Sequence, residues 1–180
     1  MKNVRPLIAG FDIATSCGCA HGTAGGKPRV WTWNLREHGK ARSYKLGTLM
    51  RYCERYFASY RVDALFYEQG LGLAAAMSIG MSDDTMALLR GAIGVVEACA
   101  ARAGVPRIQA VGVQQARAHL LGPGRIPKGQ GKQLVRDRCR VLGWHTANED
   151  ESDACAIWSL GCGMMSPMAA HMSTPLFAGG

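Results

Sequence analysis

From Leu7 to Ala14 the chain is apolar at almost every position, the pattern of a strand buried on both faces, and Asp12 is the one charged residue in it. Cys17 to Thr23 and Arg29 to Leu35 are two further extended runs. Between them Ala24-Gly25-Gly26-Lys27-Pro28 supplies glycines able to take positive φ, so a hairpin is predicted. From Lys40 to Ser59 the residues Leu46, Leu49, Met50, Cys53, Tyr56 and Phe57 recur at helical spacing, and Ala64 to Tyr67 is another short buried strand that delivers Glu68 at its end. Asp83 to Arg102 carries Met86, Leu89, Ile93, Val96 and Ala100 as a helical stripe, with Ala87, Gly91, Gly94 and Ala98 small enough for another element to approach closely.

Pro106 to Val113 is predicted as a final strand, Lys128 to Leu142 as a basic helix, and Glu149 to about Cys162 as an amphipathic one. Three hairpin-linked strands followed by alternating helices and strands predict an α/β fold, a mixed sheet flanked by helices. No repeat or linker divides the chain. One domain over residues 1–163 is expected, with 164–180, rich in Met, Ser, Pro and Gly, as a peripheral tail.

Acids are scarce, 13 Asp and Glu against 21 Lys and Arg, so where they sit is informative. A lone acid in an apolar strand is costly unless something compensates its desolvation, and this applies to Asp12 and to Glu68. If their strands are neighbours, both carboxylates project at one end of the sheet. The third acidic site is Asn148-Glu149-Asp150-Glu151-Ser152-Asp153, just before the apolar run Ala154 to Trp158. Asn148 with Glu151 fits a capping box, which gives Glu151 a local backbone role. Asp150 and Asp153 then share a helical face at i and i+3, and Glu149 with Asp153 at i and i+4 is the competing pair. Carboxylates brought together repel unless a cation lies between them, and hard oxygen donors suit Mg²⁺ or Mn²⁺. Hydrolysis of a phosphodiester by two such ions is the chemistry this pattern suggests. Taken singly, each acid is equally well explained as a hydrogen-bonded strand end or a complement to a helix dipole.

The net charge of +8 points to a polyanionic partner. No apolar stretch is long enough to span a bilayer, and the start leads straight into a strand instead of a signal-peptide core, so a cytoplasmic protein is expected. The seven cysteines show no Cys-x-x-Cys spacing and are expected to be reduced. Cys17, Cys19 and His21 share one strand face, where buried small residues are commoner than a soft-metal site. Trp31 and Trp33 share a face too, and packing is the expected role ahead of stacking on bases.

Asp12-x-Ala14-Thr15 with Gly18-x-Ala20, then Glu68-Gln69, then Asp150-x-x-Asp153-Ala154 resemble, in this order, the acidic motifs of the RuvC-type Holliday-junction resolvases in the RNase H-like superfamily. The segment holding Arg117, Gly122, Gly124, Arg125 and Lys128 resembles the same family's basic residue, glycine turn and lysine. The resemblance runs from Leu7 to Trp158. It implies an RNase H-like fold and a structure-selective endonuclease of DNA recombination and repair that cuts four-way junctions. It implies Asp12, Glu68, Asp150 and Asp153 as ligands of two Mg²⁺ ions, Mn²⁺ being an alternative, and Lys128 as a catalytic cation near the phosphate. Gln69, Leu71, Arg117, Arg125, Lys128, Lys132 and Arg136 are the expected DNA contacts, and a homodimer in a bacterial cell, or in a phage's host, is the expected assembly.

Two departures qualify the resemblance. Gly70-Leu71 follows Glu68-Gln69 where the family often has an aromatic residue, and Arg117 stands where lysine is common, which keeps the charge and changes its geometry. A nuclease acting on flaps, forks or hybrids, and a noncatalytic junction-binding module, remain the alternatives. For Arg138 and Arg140 a solvated helix face is as good an account as DNA contact.

Overall fold

Alternation along the first strand, β1 (Leu7–Asp12), sends Ile8, Gly10 and Asp12 to one face of the sheet and Ala9 and Phe11 to the other. A computed structural model describes residues 5–36, 41–70, 78, 80–122 and 126–166. β1 lies at the centre, antiparallel to β2 (Ser16–Thr23), which in turn pairs antiparallel with β3 (Arg29–Asn34). On its other side β1 runs parallel to β4 (Ala64–Glu68), and β4 parallel to β5 (Arg107–Val111), giving the order β3-β2-β1-β4-β5. The predicted hairpin turns through Gly25 at φ 78°.

Two helices, α1 (Arg42–Ser59) and α2 (Asp83–Arg102), cover the face bearing Ala9, Phe11, Leu65 and Tyr67. α2 has the bounds its sequence announces: Ser82 caps it by accepting from the Thr85 N–H at 3.3 Å, and Gly104 ends it at φ 74°. Of its small residues Gly91 serves packing against α1, since a Cβ there would lie 2.9 Å from Leu46, whereas Gly94 and Ala98 are exposed. The opposite face is covered by α5 (Glu149–Met165), with α3 (Val113–Leu121) and α4 (Gly131–Val141) behind it.

Three expectations change. α5 is not amphipathic: every residue from Glu151 to Cys162 is buried, because the helix is sandwiched between the sheet and α3 with α4. α3 was not predicted at all. Its buried positions are only Ala116 and Leu120, and Gly112 offers no side chain to cap it, so neither a stripe nor a start signal marks it. The basic helix starts at Gly131, and Lys128 lies in the turn before it. The expected tail lies outside the described residues from 167 onward, and α5 continues to Met165. Among the described residues, no helix is long and apolar enough to cross a membrane.

α5 reaches the sheet because the strands lack side chains beneath it. A Cβ on Gly10 would sit 2.4 Å from the Trp158 backbone nitrogen, and one on Gly18 would sit 2.0 Å from the Asp150 carbonyl oxygen. The Trp158 Nε1–H donates to the Gly22 carbonyl at 3.1 Å and fixes the helix along β2. Gly10→Ala is therefore expected to lower the unfolding free energy by about 3 kcal/mol or more, since backbone atoms cannot step aside. Gly94→Ala, in α2 with no atom within 4 Å of the added carbon, should instead raise it by roughly 0.5–1 kcal/mol. Urea denaturation of both variants checks the pair.

Candidate active site

β1 and β4 are paired in parallel through Phe11 and Tyr67, so Asp12 and Glu68 occupy the next position on each strand and project to the same face. The two carboxyls meet. Burial first, then a hydrogen bond shared with Glu68 and the charges of Glu68 and Asp153, hold the Asp12 carboxyl well above the usual carboxylate range. Asp12 is only 7% exposed, and Glu68 is half-buried at the strand's end.

The N-terminus of α5 arrives over this end of the sheet because Gly18 is the β2 partner of Asp12, and Asp150 passes directly above it. Asn148 caps the helix by accepting from the Glu151 N–H at 2.9 Å. Glu151 reaches back one residue past the expected capping-box donor, accepting from the N–H of Ala147, the residue before the cap, at 2.7 Å and from the Thr32 hydroxyl at 2.7 Å. Its oxygens are thus committed to structure. Glu149 is exposed and pairs with Lys132 at 3.1 Å, Asp150 is half-buried, and Asp153, one turn further in, is 2% exposed.

A buried carboxylate needs a counterion. Arg117 supplies it for Asp153 through a fork: its Nε donates to Oδ1 at 2.9 Å and its Nη2 to Oδ2 at 2.6 Å. Arg117 hangs from α3, the helix missing from the sequence reading, and its partner lies 36 residues away. The hydrogen bonds that Arg117 donates to Asp153 strengthen the guanidinium's hold on its proton against the opposing effect of burial, and the charges of Asp153, Glu68 and Asp12 add to this. One guanidinium thus faces three carboxyls. Lys132 likewise holds its proton more tightly, chiefly through Glu149, with Asp153 and Asp150 adding to the effect.

The predicted acids are therefore gathered at one end of one sheet face, although among the described residues no three His, Cys, Asp or Glu side chains stand ready to grip an ion together. The donors on this face are carboxylate oxygens, the set that hard divalent cations prefer. The thiols of Cys17 and Cys19 lie on the opposite face and are buried, and His21 there engages the Tyr56 hydroxyl at 3.1 Å. Gln69 is exposed beyond Glu68, Lys128 is exposed in the turn before α4, and Arg136 is half-buried with its Nη2 3.4 Å from the Ala147 carbonyl. Leu71 and Arg125 lie outside the described residues.

No protein-family model matches this chain, and no curated protein matches it. Solved structures do. Thermus thermophilus RuvC in complex with a Holliday junction substrate superposes with a TM-score of 0.63 at 22% identity, covering 85% of this chain and 90% of that one. A second T. thermophilus RuvC structure gives 0.60 at 22% identity, with 84% and 90% covered. The yeast mitochondrial Holliday junction resolvase Ydc2 gives 0.58 at 12% identity, with 91% and 80% covered. The fold is thus the RNase H-like fold of these proteins, as expected from the sequence.

Arg117 and Asp153 form a buried pair, with side chains 11% and 3% exposed, so removing one partner leaves the other without compensation. Arg117→Met is expected to cost about 3 kcal/mol in chelator, with much of the loss recovered on adding Asp153→Asn. A double-mutant cycle by denaturant titration measures this, and additive losses would show that the fork carries no coupling.

Proposed function

We propose that this chain is a RuvC-type, divalent-metal-dependent endonuclease that cuts DNA at four-way junctions. The observation that carries this reading is the convergence of Asp12, Glu68 and Asp153 on one sheet face, under the acidic first turn of α5. The net charge of +8 and the fold shared with proteins solved as junction resolvases, one of them bound to a Holliday junction, support it.

In this reading Asp12, Glu68, Asp150 and Asp153 hold two Mg²⁺ or Mn²⁺ ions. Bound there, such ions supply Lewis acidity toward the scissile phosphate and lower the pKa of the attacking water. The chain's own part is orientation and charge. Burial fixes Asp12, the Arg117 fork fixes the carboxylate plane of Asp153, and Glu151 keeps the first turn of α5 from fraying. Lys128 and Lys132, at the start of α4, offer cations to the phosphate as negative charge builds on it. Arg125, Arg136, Gln69 and Leu71 complete the proposed DNA contacts, whereas Arg117, expected from the sequence among them, is turned inward onto Asp153 and serves there as its counterion. A homodimer places two such sites for paired cuts, which a symmetric junction requires.

A second reading, a junction-binding module without cleavage, draws on the Arg117 fork, which already neutralises Asp153. Labelled four-way junctions, flaps, duplexes and hybrids incubated with Mg²⁺, Mn²⁺ or chelator separate the two. Symmetric cutting of junctions with metal supports the nuclease, while binding without any cutting supports the module.

Asp12→Asn is expected to keep junction affinity and abolish cutting, as gel shift and cleavage assays on one preparation would record; full activity would contradict the ligand role. Lys128→Ala should lower single-turnover cleavage by about a hundredfold with little change in binding. An equal loss in both would reduce Lys128 to simple phosphate affinity.

A further inference from the structure

The sheet face turned away from the carboxylates carries an aromatic cleft that the nuclease reading does not use. Trp31 and Trp33 pair in register with Cys19 and Cys17, so they lie on the α1 side of the edge strand β3. Both are half-buried: their inner edges pack on Phe11, with ring centroids 6.5 and 5.2 Å away, and their outer parts line a cleft of about 370 Å³ between β3 and α1. Tyr52 stacks on Trp33 at 5.8 Å and 22°, and Tyr56 lies 5.4 Å from Trp31. Arg29 and Arg55 stand exposed in the wall, and no acid lines it among the described residues.

This combination selects its occupant. Flat π surfaces favour a flat ring, and two uncompensated guanidiniums favour an anion attached to it. Burial and the charge of Arg29 lower the pKa of His21 at the cleft's base, so Arg29 and Arg55 supply the positive charge. Arg29 donates to the Tyr60 hydroxyl at 3.1 Å, and both residues line the cleft. A cleft of this volume is large enough for a base with its sugar-phosphate. We infer that the cleft formed by Trp31, Trp33, Tyr52 and Tyr56, with Arg29 and Arg55, binds an unpaired nucleotide of single-stranded DNA by stacking its base and clamping its phosphate. Single-strand binding elsewhere combines aromatic stacking with basic side chains in the same way. Because the cleft and the carboxylates lie on opposite sheet faces, the inference stands or falls separately from the cleavage activity.

Tryptophan emission reads the site directly, since the remaining tryptophans, Trp144 and Trp158, are 5% and 2% exposed on the α5 side. The full chain in chelator is titrated with an oligothymidylate of about six nucleotides and with the same sugar-phosphate chain lacking bases. The expected result is saturable quenching by the first and none by the second. The double variant Arg29→Ser with Arg55→Ser, both exposed and safe for folding, should bind roughly tenfold more weakly, and Trp33→Leu should lose about as much through stacking. Absence of quenching at saturation, equal binding of the base-free chain, or full affinity in the arginine variant would overturn the assignment. Quenching by an acidic, phenylalanine-containing peptide in place of the oligonucleotide would overturn it too, and would make the cleft a protein-docking site. Junction cleavage with Mg²⁺, assayed on the same arginine variant, reports the nuclease independently.

Discussion

The site depends on the backbone of α5 lying directly on β1 and β2. Gly10 and Gly18 remove the side chains that would hold the helix off, and the helix in turn contributes backbone atoms where other folds would contribute side chains. Once the contact is made, the first turn of α5 is fixed above the ends of β1 and β4. Strand parity does the rest: a one-residue slip of β1 would send Asp12 to the face of Ala9 and Phe11 and leave α5 over an apolar position. The positive end of the α5 dipole then lies beside the strand-end carboxyls, favouring negative charge where the sheet already presents it.

Charges concentrated this way cannot all be left uncompensated. An exposed pair such as Lys132 with Glu149 contributes at most about 1 kcal/mol, whereas a buried carboxylate deprived of its partner costs several times that. Arg117 is therefore the counterion that decides whether Asp153 is tolerated, and Lys132 modulates the rim. Asp12 and Glu68 share a proton through their hydrogen bond, and burial first, then that bond and the neighbouring negative charges, hold the Asp12 carboxyl well above the usual carboxylate range. A site that compensates three acids with one guanidinium and one shared proton has the charge balance into which divalent cations fit, because each compensation is reversible.

How much of this was legible in the sequence follows from which interactions are local. β1, β4 and α2 could be read because burial on both faces, a strand-end acid and an apolar stripe at helical spacing each leave a signature within the element itself. The local backbone role of Glu151 was legible for the same reason, as Asn148 and Glu151 lie three positions apart, although the N–H that Glu151 accepts is that of Ala147. α5 was misread because a helix enclosed on all sides and a helix with one apolar face differ only in what lies behind them, and α3 and α4 come from elsewhere in the chain. α3 itself has two buried residues and a bare Gly112 start. The Arg117 fork was invisible as such: the sequence offered a basic residue, and only the fold says that it looks inward to Asp153 instead of outward to solvent.

The two sheet faces also explain which metal chemistry is open to the chain. β2 alternates Cys17, Cys19 and His21 with Gly18, Ala20 and Gly22, so every soft donor on it faces α1 and every position facing α5 is small. Burial raises the Cys19 thiol well above its ordinary value, and a protonated thiol in an apolar layer is a packing group and no ligand. The small residues on the other side let α5 settle and bring carboxylate oxygens in its place. The soft donors of β2 are thereby separated from the carboxylate oxygens by the thickness of one sheet, and the same parity that builds the acidic face leaves Trp31 and Trp33 to the other, beyond the reach of the carboxylates. A change of one residue between Asp12 and Gly18 would break both assignments together, since the register that opposes these two residues is the register that opposes Cys17 to Trp33.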